Sequence, residues 1–227
     1  GIEKGPKAWI VRENDKNDNP TPYADYPNPD AQKVTLHLKA TSKNEGMLTL
    51  EKSKKQGTQP LIDNYNFSGD DLAKSESSNH RLLFVTSILK EDLHLYGLTK
   101  LNIKLASSKP AANHSVWMVS LPWNKNKNAK ITDNIITRGW ADPQNYKSIS
   151  ESEPLKPGKF YEMSFDLIPD DQVIPAGQQI GLMIFSSDNQ FTLLPEPGTE
   201  LTVDLDETTI EIPVVGGKEK FKNAASD

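Results

Sequence analysis

Hydrophobic and polar positions alternate along much of this chain with the period of two that a half-buried β-strand imposes. In FYEMSFDL, Tyr161, Met163, Phe165 and Leu167 point one way and Glu162, Ser164 and Asp166 the other. VTLHLKA (34–40) and KLNIKLAS (100–107) repeat the pattern, and GMLTLE (46–51), LLFVTSI (82–88) and DLHLYG (92–97) supply further short strands. QIGLMIFSS (179–187) and SVWMVSLPW (115–123) are apolar on both faces, as interior strands are. Short strands are also expected at 7–11, 191–194, 199–205 and 207–215. PDDQVIPAG (169–177) reads as a turn-rich bridge.

Turn formers dominate 12–33 and 52–80, which are expected to be long loops. The first is expected to wrap over the sheet through Tyr23 and Tyr26, and the second to contain a helical turn at Gly69 to Lys74. The pattern predicts an all-β protein, a jelly-roll or galactose-binding-like β-sandwich, forming a single domain over 1–217 with a disordered tail at 218–227.

Composition narrows the function. The net charge of −5, from 26 basic and 31 acidic residues, argues against nucleic-acid binding. The absence of Cys excludes disulfides, thiolate catalysis and Cys–zinc sites. The absence of any apolar run of about 18–20 residues argues against a membrane span. A cytoplasmic location is expected, with no cofactor and no metal. Asp15, Asn17 and Asn19 have the spacing of a calcium loop's first ligands. Pro20 and Tyr26 stand where such a loop needs Gly and Glu, so a linker is the better reading.

Nucleophile chemistry finds little support. No serine has a glycine two positions before it, as a Gly-x-Ser-x-Gly elbow requires. His37 and His94 are expected on solvent faces of strands, and His80 and His114 in polar loops. Ser87–Lys90, Ser187–Asn189 and Lys156–Gly158 imitate the motifs of penicillin-recognising serine enzymes, but in the wrong chain order.

The candidate site is RGWADPQN, expected to be a loop: Arg138, Trp140, Asp142, Gln144 and Asn145. Arg can fork onto a carboxylate and Trp offers a flat apolar face, as interface anchors do. Two readings stay open here: an internal brace, and an interface or cleft edge.

Several blocks carry a family resemblance: RLLFVTSILKEDLHLYGLTKLNIKLASSKPAANHSVWMV (81–119), the stretch Ile136 to Asn145, PLKPGKFYEMSFDLIPDD (154–171), VIPAGQQIGLMIFSSD (173–188) and FTLLPEPGTELTVDL (191–205). In order, and over more than half the chain, these resemble the C-terminal domain of bacterial Xaa-Pro dipeptidyl-peptidases, serine hydrolases whose wider group includes cocaine esterase-like acyl hydrolases. The resemblance implies a non-catalytic β-sandwich whose partner is the α/β-hydrolase catalytic domain of the same parent chain. It also implies a parent aminopeptidase acting on proline-containing peptides to release Xaa-Pro dipeptides, and dimer contacts in that parent. A carbohydrate-binding module and the equivalent domain of an acyl esterase are the alternatives.

Overall fold

The computed structural model describes residues 4–14, 19–130 and 133–225. The calcium-like positions Asp15 and Asn17 lie outside them. Fifteen strands are described: β1 (Ala8–Ile10), β2 (Thr21–Tyr23), β3 (Ala31–Ser42), β4 (Glu45–Thr49), β5 (Thr58–Ile62), β6 (Arg81–Val85), β7 (Leu93–Gly97), β8 (Lys100–Ser107), β9 (His114–Leu121), β10 (Ile135–Ala141), β11 (Phe160–Asp166), β12 (Asp170–Ile174), β13 (Gln179–Phe185), β14 (Glu200–Asp204) and β15 (Thr209–Val215). Two helices join them, α1 (Gly69–Lys74) and α2 (Gly217–Ala225).

The fold is an all-β sandwich. Among the described residues, β1 and β2 form a separate ribbon and the other strands hydrogen-bond in one continuous network, in the order β10-β9-β13-β6-β4-β3-β15-β8-β14-β5. From that path β11 branches off β8, while β7 joins β15 and carries β12. Pairing is antiparallel except between β4 and β6. β13 lies between β9 and β6, which explains its apolar residues on both faces: Ile180, Leu182, Met183, Ile184 and Phe185 are all fully buried. β11 pairs with β8 over its whole length and buries Tyr161 and Met163, with Leu167 buried just beyond it. Phe165 is only half-buried and meets the His114 ring edge-on, with centroids 5.5 Å apart.

α1 begins where the sequence places it. Ser68 caps it, its Oγ accepting the Asp71 amide while Asp71 reaches back to the Ser68 amide. Its far end is held by the buried guanidinium of Arg81, which donates to the carbonyls of Leu72 and Ser75 at 2.8 Å each. Gly69 is obligatory here, because a Cβ would lie 2.3 Å from the Trp117 ring.

Five local expectations are corrected. The 218–227 tail is not disordered throughout: α2 covers Gly217–Ala225, and Phe221 and Ala224, three apart on one helix face, are buried. Residues 191–194 form no strand, and Phe191, Leu193 and Leu194 are exposed. Strands β2 and β5 lie inside the two expected loops, and β12 lies in the expected bridge. RGWADPQN is not all loop: Arg138, Gly139 and Trp140 lie in β10, paired with β9. His114 lies in no surface loop but at the buried start of β9.

The packing predicts a graded response to truncation. Leu182→Ala, at a fully buried position between two strands, should cost about 2–5 kcal/mol in urea unfolding, and Phe165→Ala, at the half-buried edge, should cost less than the about 3–5 kcal/mol of a fully buried ring. A Phe165→Ala cost within the about 3–5 kcal/mol of a fully buried ring would contradict the described packing.

Candidate functional site

Two buried carboxylates each tie separate parts of the chain together. The first is Asp188, just after β13, which is 1% exposed. Its Oδ2 accepts both indole N–H groups, from Trp117 at 3.0 Å and Trp140 at 3.1 Å. Trp117 sits on β9 and Trp140 on β10, so one oxygen ties two strands to the loop that follows a third. Burial raises the Asp188 carboxyl above the ordinary carboxylate range, and the two indoles and the Arg138 charge oppose that rise.

The Arg138 guanidinium carbon lies over three rings, 4.7 Å from the centroid of Phe191, 5.6 Å from Trp117 and 5.7 Å from Trp140. It forms no ion pair within 4 Å among the described residues. Gly139 lies between the two anchors because a Cβ would press on Leu167 at 3.0 Å and on the Phe165 ring at 3.3 Å. Phe191, 51% exposed, stacks obliquely on Trp140 with centroids 5.2 Å apart. Leu193, 88% exposed, and Leu194 extend the apolar surface, and the Leu193 carbonyl is held by Asn113 Nδ2. Ile168 is tied to Arg138 by its amide, which donates to the Arg138 carbonyl at 2.8 Å.

The remaining candidate residues do not join this cluster. Asp142 caps the 3-10 turn Pro143–Asn145, accepting the Gln144 amide at 2.8 Å and the Gln144 side-chain amide at 3.2 Å. Asn145 Nδ2 donates to the Ile149 carbonyl at 2.9 Å. These three polar groups shape a turn and are satisfied locally.

The second carboxylate, Asp171 on β12, was not singled out from the sequence. It accepts hydrogen bonds from Arg12 Nε at 3.1 Å, Tyr23 Oη at 2.8 Å and His94 Nε2 at 2.6 Å. Burial alone would raise its pKa; the His94, Tyr23 and Arg12 hydrogen bonds carry it below the ordinary value. His94 therefore does not simply face solvent as expected. The Tyr23 and Tyr26 rings pack on Tyr96, 4.4 and 5.8 Å away, which holds these two residues to the sheet.

Asp170 precedes it with the opposite fate. Successive strand residues point to opposite sides, so the three donors around Asp171 are out of its reach. Its Oδ2 is buried without a partner. Burial, with Glu13 and Asp171 nearby, pushes this carboxyl up to about 7, against the pull of the Asp171 amide. It separates two cavities, of about 340 Å³ toward Tyr26 and Tyr96 and about 160 Å³ toward Arg138 and Ile168. His114, 0% exposed and without a partner on either ring nitrogen, is held neutral, its pKa pushed down to about 3 by burial. His80 Nδ1 lies 2.8 Å from the Ile62 carbonyl in an exposed loop.

The fold is thus an all-β sandwich braced by buried carboxylates. Residues 1–222 match the family of the X-Pro dipeptidyl-peptidase C-terminal non-catalytic domain, and the chain belongs to that family. A protein of Rhodopirellula baltica named "Putative Xaa-Pro dipeptidyl-peptidase" is 54% identical over 96% of this chain, which covers 35% of that protein. The Xaa-Pro dipeptidyl-peptidase of Lacticaseibacillus rhamnosus is 28% identical over 86% of this chain and 29% of its own length. The chain therefore spans about a third of the curated relatives it matches. Among solved structures, an aminopeptidase from a marine sediment Thaumarchaeota archaeon shares the fold with a TM-score of 0.70, at 15% identity over 92% of this chain and 41% of that one. A CocE/NonD family hydrolase from Staphylococcus aureus does so with a TM-score of 0.65, at 12% identity over 90% and 40%. No helix among the described residues is long and apolar enough to cross a membrane.

Two outcomes follow from the carboxylates. Asp188→Leu strands the Trp117 and Trp140 N–H groups and should cost about 1–3 kcal/mol for each that stays dry, whereas Asp188→Asn keeps an acceptor and should cost less. Equal losses in chemical denaturation would show that the indole hydrogen bonds contribute nothing. Asp170 has a folded pKa above its unfolded value of about 3.9, so its stabilising effect is complete below about pH 4. That effect is lost as pH rises to about 7, with a ceiling of about 1.4 kcal/mol for each pH unit between. Asp170→Asn should flatten the stability–pH curve in this window relative to the unmodified chain, and parallel curves would contradict the assignment.

Proposed function

We propose that this domain is the docking module of an Xaa-Pro dipeptidyl-peptidase, a cytoplasmic serine exopeptidase that releases Xaa-Pro dipeptides from peptide N-termini. In this reading the acyl-enzyme chemistry belongs to an α/β-hydrolase domain in the part of the relatives that this chain does not span. The present domain packs against that catalytic domain, edges its substrate cleft and supports the parent's dimer contacts. The observation that carries the reading is the face built by Arg138. The Arg138 guanidinium, in no ion pair within 4 Å among the described residues, lies on three aromatic rings; exposed Phe191 is one of them, exposed Ile168 donates its amide to the Arg138 carbonyl, and exposed Leu193 and Leu194 follow Phe191 in the chain. Exposed apolar residues clustered around an Arg and an aromatic anchor are what a buried interface presents when its partner is absent.

The brace and interface readings separate by residue. Trp140 contributes to the domain's own stability through Asp188, whereas Phe191 and the guanidinium of Arg138 lie on the outer side of that brace. Arg138→Ala and Phe191→Ala are expected to change the melting of the isolated domain little, by about 0.5–1 kcal/mol. In the full-length parent they should lower Xaa-Pro-releasing activity, or domain association, by roughly tenfold or more, the scale of a hot-spot truncation of about 1.4 kcal/mol or above. If the defect in the parent only follows the loss of stability of the isolated mutant domain, the face is an internal brace and the docking reading falls.

A further inference from the structure

The β1–β2 ribbon is apolar on both faces. A ribbon lying on a sheet needs only its inner face apolar, and its outer face ordinarily alternates to polar residues. The pairing defines the two faces: Ala8 opposes Tyr23 and Ile10 opposes Thr21, while Trp9 between them opposes Pro22. Ala8, Ile10, Thr21 and Tyr23 are partly buried, and the Tyr23 ring packs on Tyr96 at 4.4 Å. The opposite face carries Trp9, 61% exposed, beside exposed Pro22, and exposed Val11 follows β1. The ribbon therefore has the two apolar faces of a middle layer, with the sandwich against one of them.

Trp9 is not an isolated surface aromatic. Val11 and Tyr26, both exposed, line the cavity of about 340 Å³. Glu13 donates its amide to the Asp171 carbonyl at 2.9 Å and lines, with Ile168 and Arg138, the cavity of about 160 Å³. Exposed apolar residues thus continue from the ribbon past Ile168 toward the Arg138 rings. Lys7 and Arg12, which flank β1, are paired with Asp25 at 2.7 Å and Asp171 at 3.1 Å. The outer face accordingly offers apolar surface rather than free charge, and a partner that fits it is itself apolar.

We propose that the outer face of the β1–β2 ribbon, centred on Trp9, is covered by an apolar surface of the part of the parent protein that precedes this domain. The inference rests on the docking reading and adds a second contact to it. The family is that of a C-terminal domain, so the remainder of such a parent reaches it from the N-terminal side, where β1 is the first strand. That remainder is the larger share, since this chain covers 35% of the R. baltica protein. A two-stranded ribbon of three-residue strands is marginal by itself. Packing on the sandwich supports one side of it, and the parent's apolar surface supports the other, with Trp9 as the anchor that such contacts favour.

Amide hydrogen exchange of β1 and β2, read in the 227-residue chain and in the full-length parent, tests this. The ribbon amides should exchange roughly tenfold or more slowly in the parent, the scale of one hot-spot contact. Trp9→Lys in the parent should return the β2 amides to the rate of the isolated chain, and Trp9→Phe should keep most of the slowing. In the 227-residue chain Trp9→Lys should move the melting temperature by less than about 2 °C, as an exposed substitution does. Equal exchange in the two proteins, or a slowing that Trp9→Lys leaves intact, overturns the proposal. A larger melting loss in the isolated chain also overturns it, because Trp9 would then belong to the domain's own packing.

Slowing that appears in the isolated chain and grows with its concentration would assign the cover to a second copy, against the proposal. The Arg138 face is read separately, through Phe191→Ala. A parent in which Phe191→Ala acts but the ribbon is not slowed loses the ribbon contact and keeps the Arg138 face. One in which the ribbon is slowed but Phe191→Ala has no effect loses the Arg138 face and keeps the ribbon contact.

Discussion

Two adjacent aspartates on one short strand set much of this structure's character. Strand geometry sends Asp170 and Asp171 to opposite sides. Asp171 meets an arginine, a tyrosine and a histidine from three separate segments, and these donors overcome the burial penalty. Without that carboxylate Arg12 and Tyr23 would lose their polar anchor on β12, and Tyr23 its fixed place on Tyr96. Asp170 has the same burial problem without these donors, and its carboxyl rises accordingly. The anchoring of Asp171 keeps the wall of the Asp170 cavity in place, so the satisfied carboxylate shapes the surroundings of the unsatisfied one.

Asp188 repeats the logic elsewhere. A single oxygen holds two indole N–H groups from neighbouring strands, and the same rings carry the Arg138 charge on their outer surface. On the proposed reading, brace and interface are consecutive layers. The inner one is a buried carboxylate with two tryptophans; the outer one is a cation with Phe191 and the exposed leucines beyond it. On that reading one RGW segment serves the domain's stability through Trp140 and docking through Arg138.

The legible parts of the sequence are those whose signal is local. β11 alternates and is half-buried, β13 is apolar throughout and lies inside the sheet, and the helical turn expected at Gly69 to Lys74 is α1. What was missed depends on distant partners. β12 begins with two aspartates after a proline, and it forms because β7 supplies its ladder and three remote donors neutralise Asp171. FTLL at 191–194 has strand-like composition, but it has no partner strand and leaves its apolar residues on the surface. α2 carries few apolar residues, and Phe221 and Ala224 suffice only because the sheet offers a surface to cover. At the site, Arg138 and Trp140 were readable as an arginine–tryptophan pair, but their convergence on Asp188 joins residues 48 and 71 positions apart, a distance that no local pattern encodes.

The central claim is that the surface outside the Asp188 brace is covered by the remainder of the parent protein. Hydroxyl-radical footprinting of the isolated domain and of the full-length parent reads that coverage directly, residue by residue. Phe191, Leu193 and Ile168, all exposed in the isolated domain, should be labelled strongly there and protected several-fold in the parent. Ile62, an exposed residue of β5 outside this cluster, serves as the internal reference. If Phe191, Leu193 and Ile168 are labelled equally in both proteins while other positions of the domain become protected, the docking face lies elsewhere and the account given for Arg138 is wrong.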